Sequence, residues 1–109
     1  MTKEAICKTL EEITAQHGFT CEHSSFSWLP LVRQTSEDYA NVIFSDHWDF
    51  DLETMTCTIK ITAQARVCRM GGNDTYEDLM RAAEQIKKAA YLAQQVNDMG
   101  LSYTESLKA

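Results

Sequence analysis

One proline and four glycines in 109 residues exclude a collagen-like or linker-rich chain. No stretch approaches the roughly 18 apolar residues of a membrane-spanning helix, and Lys3, Glu4, Lys8, Glu11 and Glu12 interrupt the N-terminal segment before a signal-peptide core can form. Basic residues are scarce as well. Lys and Arg number 10 against 16 Asp and Glu, for a net charge of −6, and residues 37–53 carry Glu37, Asp38, Asp46, Asp49, Asp51 and Glu53 with no Lys or Arg among them. A polyanion is held by neutralising its phosphates, so this field disfavours nucleic acid and, for the same reason, an anionic membrane surface. There is no internal repeat and no low-complexity tract.

What is present suits one soluble domain. With 44% hydrophobic residues the chain has enough apolar material for a core, and its length is modal for a single domain. The division is residues 1–100 as one α+β domain and 101–109 as a C-terminal tail. The location implied is cytoplasmic, with Cys7, Cys21, Cys57 and Cys68 as free thiols.

Ile6, Leu10 and Ile13 form one stripe of a first helix that Gly18 ends. Residues 19–25 and 26–33 read as extended, with Pro30 breaking the second piece or confining it to an edge. A clear alternation follows: Ala40, Val42, Phe44, Trp48, Phe50 and Leu52 point inward, with Asp46 the exception among them, as do Cys57, Ile59, Ile61, Ala63, Ala65 and Val67. The opposite face carries Asn41, Ser45, His47, Asp49, Thr58, Lys60, Thr62, Gln64 and Arg66, with Ile43 as an apolar exception. A hairpin turning within residues 51–56 can set His47 opposite Lys60 and Asp49 opposite Thr58. After a turn at residues 70–73, Asp74 and Glu77 suggest a capping box, and Tyr76, Leu79, Met80, Ala83, Ile86, Ala90, Ala93 and Val96 continue a helical stripe to Gly100. The helix, about 24 residues or roughly 36 Å, matches the hairpin in length and is expected to cover it from end to end. The fold class is therefore α+β, a two-layer sandwich in α-β-β-β-α order with an antiparallel three-stranded meander and both helices on one face.

The residues that could carry chemistry are few. His47, Asp49, Asp51 and Glu53 offer metal-ligand types, but a straight strand spaces them in a row rather than around a point. Cys21 and His23 could supply two zinc ligands, and Cys21 with His17, His23 or His47 a nucleophile and base; none has a diagnostic setting. Gly71, Gly72, Asn73, Asp74 and Thr75 open a helix whose own Asp74, Glu77 and Asp78 would repel a phosphate. No catalytic residue and no cofactor is expected.

The element order is similar to that of the double-stranded-RNA-binding domain, which grips phosphates with lysines at the start of its last helix. The matching positions here are Thr75, Tyr76, Glu77 and Asp78, and Lys87 and Lys88 come three turns too late, so RNA binding does not follow. In general character the small acidic α+β design resembles secretion chaperones. The function read from the chain is a protein- or peptide-binding adaptor or chaperone-like module, a homodimer, with a basic partner and Trp28, Ile43, His47, Asp49, Lys60 and Arg66 as contact residues. The alternative is a small metal-dependent enzyme or metal-binding protein using residues 46–53.

Overall fold

In a computed structural model, which describes residues 1–35, 38–68 and 75–108, the first stripe forms α1 (Lys3–Gln16). The Thr2 side chain caps it by accepting from the Ala5 N–H, and Gly18 leaves it at a φ of +83°. Ile6 and Leu10 have no solvent exposure, which stabilises the fold by about 1.5–3 kcal/mol for each such side chain. The extended region yields only two-residue strands, β1 (Cys21–Glu22) and β2 (Leu31–Val32), paired antiparallel in a small sheet of their own. Pro30 immediately precedes β2, where its missing donor is harmless.

The alternating segments form β3 (Ala40–Asp51) and β4 (Thr56–Val67), twelve residues each. Their register places His47 opposite Lys60 and Asp49 opposite Thr58, one of the registers whose parity the alternation allows. Residues 52–55 make the turn, with Asp51 accepting from the N–H groups of Glu53 and Thr54 and Met55 in the left-handed region at φ 54°. α2 (Tyr76–Met99) has 24 residues and ends on Gly100, whose φ of 61° is the left-handed C-cap. Its capping box is Thr75 with Asp78, one residue later than expected; Asp74 and the glycine turn lie outside the described residues.

The third strand of the sheet is not the region before β3. It is β5 (Ser102–Ser106), from the residues read as a tail, antiparallel to β4 with Tyr103 opposite Ile59. The sheet order is β3-β4-β5, so a strand follows the last helix and the α+β sandwich closes through its C-terminal segment. That departs from the element order shared with the RNA-binding fold.

One core joins the layers. Ile6, Leu10 and Ile13 of α1 and Ala89, Leu92, Ala93 and Val96 of α2 meet Val42, Phe44, Ile59, Ile61 and Tyr103 on a single sheet face. Helix and hairpin match in length but are offset. The Asn97 amide bonds both backbone groups of Ala63, two thirds of the way along β4, so the helix stops short of the hairpin turn and its N-terminal half runs past the other end. The principal extents are 59 × 23 × 21 Å. Trp48, Phe50 and Leu52, expected inside, are therefore exposed by 47%, 59% and 75%. At the opposite end Ala65, Val67, Tyr76, Leu79, Met80, Ala83, Ile86 and Ala90 are exposed for the same reason.

Candidate functional site

The uncovered end of the hairpin gathers most of the chemistry. Asp46 sits on the core-facing side of β3, and one of its carboxylate oxygens accepts from two indoles, Trp48 Nε1 at 2.9 Å and Trp28 Nε1 at 3.1 Å. The Trp48 bond, followed by that of Trp28 and the charge of Lys3, holds Asp46 below the ordinary 3.8. This explains the one acid that breaks the apolar alternation: it ties the segment before Pro30 to the hairpin. Trp28 also packs edge-on against Tyr103 at 5.8 Å between ring centres. Lys3 lies over both rings, 5.5 Å from Trp28 and 5.6 Å from Tyr103, with Glu105 at 3.9 Å. The Tyr103 hydroxyl, then Glu105 and Glu4, raise its pKa above 10.5.

Beyond this clamp the hairpin continues bare. The Trp48 and Phe50 rings lie 6.4 Å apart on one face, and Leu52 extends the apolar surface into the turn. On the opposite, polar face a recess of about 650 Å³ is lined by Asp49, Asp51, Glu53, Thr58 and Lys60 and reaches Phe50 and Leu52 at the end of the hairpin. The acidic face and the apolar face thus meet at Phe50 and Leu52, an arrangement suited to a segment that wraps the hairpin end with a cationic side chain on one face and apolar ones on the other.

The other expected contact residues are spread out. His47 and Lys60 are neighbours across the β3–β4 ladder and exposed on the polar face. Arg66 and half-buried Ile43 line a separate recess of about 280 Å³ at the far end. Asn41, expected on the wet face, is buried beneath residues 32–34, its amide donating to Val32 O and Gln34 Oε1. Trp28 is half-buried within the clamp rather than presented at an edge. The acids drew attention in the sequence, but Trp48, Phe50 and Leu52 were assigned inward by their parity. Periodicity reports which face a residue shares, not how far the covering layer extends.

No three His, Cys, Asp or Glu side chains converge on a metal-binding point among the described residues; His47, Asp49 and Asp51 alternate along β3, Asp51 is engaged in the turn and Glu53 lies within it. Burial raises the thiols of Cys7 and Cys21, the reverse of the activation a nucleophile needs. His17 is engaged with Gln95 at 2.6 Å and His23 is exposed. All four cysteines are free, and no helix among the described residues is long and apolar enough to cross a membrane. No family model matches the chain, and neither a curated protein nor a solved structure matches it significantly.

Proposed function

We propose that this chain is a protein-recognition module, adaptor or chaperone-like in character, which binds a basic and partly apolar protein segment at the uncovered end of its hairpin. The observation that carries this reading is the exposed Trp48, Phe50 and Leu52 surface on one face of the hairpin end, with a recess on the other face where Asp49, Asp51 and Glu53 outnumber the single cation Lys60. Apolar area supplies affinity, and the carboxylates select for Lys or Arg and speed encounter. In the same reading the protein works in the cytoplasm as a homodimer and does not bind nucleic acid, in keeping with its free thiols and net charge of −6.

Calorimetric titration with a basic amphipathic peptide and with an acidic peptide of equal length tests it. The basic peptide should bind, more weakly as salt rises, while the acidic one should not. Asp49→Lys with Glu53→Lys, and separately Phe50→Ala, should each weaken binding by at least about tenfold, equivalent to roughly 1.4 kcal/mol. Asp51 is left intact in this design because its carboxylate holds the turn. Equal binding of the two peptides, or variants that bind as the parent does, would overturn the reading.

A further inference from the structure

Among the described residues, the outer edge of β4 is covered along one half only. The Ile61 N–H donates to Leu101 O at 2.9 Å, where β5 begins. At the next odd position the Asn97 amide donates to Ala63 O at 2.9 Å and accepts from Ala63 N at 2.8 Å. Odd-numbered residues of β4 therefore turn their backbone polar groups away from β3. Ala65 comes next. It is exposed, and its outward N–H and C=O meet no partner among the described residues. Val67 follows, 53% exposed. The inward-facing side chains here, Ala63, Ala65 and Val67, bear no charge, and no proline blunts the edge.

α2 runs beside this edge with an apolar stripe that no other described residue covers. Asn97 faces the edge, and at 100° per residue Ala90, Ile86, Ala83 and Leu79 all fall within about 40° of it. All four are exposed, Leu79 by 56%.

We infer that this edge and stripe form the seam with a second copy of the chain: β4 pairs antiparallel with its counterpart across a two-fold axis, running the two sheets together. This deepens the homodimer reading above by naming its face. The pairing that leaves the Asn97 bonds intact exchanges Ala65 with Val67 of the second copy in both directions and puts the axis at Arg66. Strands lie about 4.8 Å apart, and α2 packs over β3 and β4, so its axis stands roughly 5 Å from the two-fold. The two α2 helices then run about 10 Å apart, the upper end of ordinary helix-packing distances. Their lengths agree too. Asn97 is level with Ala63, and the three strand residues down to Arg66 span about 10 Å, as do the seven helix residues back to Ala90. Small Ala90 thus lies at the crossing. Leu79, eleven residues further, comes level with position 101 of the second copy, where Ile61, Asn97, Gly100 and Leu101 line a recess of about 520 Å³. A lone peptide strand added to the edge would leave this stripe bare; a second copy covers edge, stripe and recess together, toward the area of about 800 Å² per partner that a stable pair needs.

The charges give the seam a distinctive sign. Two chains of −6 repel, and Arg66 faces Arg66 of the second copy, so salt should tighten self-association while it loosens a basic partner's grip on the hairpin end. Sedimentation equilibrium of the full chain at low and high salt reads this directly. The expected result is a species of twice 12.4 kDa that strengthens with salt. Leu79→Lys and Ala90→Arg, both on exposed positions, should weaken it by at least about tenfold with the circular dichroism unchanged, and Phe50→Ala should leave it intact. Amide exchange at Ala65 and Val67 should slow with protein concentration. A parent that stays monomeric, a dimer indifferent to Leu79→Lys and Ala90→Arg, or one that dissociates as salt rises would each overturn the seam. None of these results bears on peptide binding at the hairpin end, and loss of peptide binding in Phe50→Ala leaves the seam standing.

Discussion

Two neighbouring residues in β4 differ in everything that matters for stability. Ile61 is buried, and Thr62 is exposed on the polar face. Ile61→Ala should cost about 2–5 kcal/mol in urea melts, and Ile59→Ala the same, while Thr62→Ala should stay within about 1 kcal/mol. Gly100 provides a second test. A Cβ there would meet nothing within 4 Å, so Gly100→Ala is strained by its φ of +61° alone and should cost about 1–2 kcal/mol in the same melts. Asp46 brings pH into play. Its pKa is depressed in the folded state by the indole bonds, so the stability it contributes is complete above the ordinary carboxylate value of 3.8 and is lost as pH falls through the lower folded value. Thermal melts of the parent and Asp46→Asn should therefore differ at neutral pH and converge in acid. A gap that is constant with pH would contradict the clamp.

Between elements, the most consequential link is the amide of Asn97. It stands in for a strand at Ala63, satisfying a donor and an acceptor that β5, which starts opposite Lys60, does not reach. Asn97→Ala should destabilise by about 1–3 kcal/mol and speed exchange of the Ala63 amide, whereas a merely local surface residue would leave that amide unchanged. Much at this scale was legible from the sequence. Alternation set the faces of β3 and β4 and the parity of their pairing, because a one-residue slip would turn every side chain over, whereas a two-residue slip would not, and the turn at residues 52–55 decides between the remaining registers. Both helices were legible because their stripes and terminal glycines agree. What stayed hidden was placement along the common axis. Nothing local says that α2 lies half a strand out of step with the hairpin, or that Leu101 and Tyr103 are core residues of a strand rather than a loose tail. That offset is also what strips the cover from Trp48 and Phe50, so the candidate site was invisible for a tertiary reason while its acidic rim was plain.

The whole molecule is long for its size. A compact chain of this length has a radius of gyration of about 13 Å, against 16.5 Å over the Cα atoms here. Small-angle scattering of the Leu79→Lys variant should give an extended particle rather than a sphere. Two ends stripped of cover leave a small protein with separate surfaces, one acidic and aromatic, the other an open strand beside a helical stripe.

Because β5 comes after every other element of the sheet, the ladder between β4 and β5 depends on the strand of the sheet that leaves the ribosome last. The β3–β4 hairpin is local and can form early, yet Ile59 stays without its partner Tyr103 until residues some forty positions later arrive. During that interval β4 presents an unpaired edge along its full length, which is when the nascent chain is most exposed to association with its own kind. A chain stopped at Gly100 would be held in that state, and its pelleting yield should exceed that of the full chain even where both retain the hairpin.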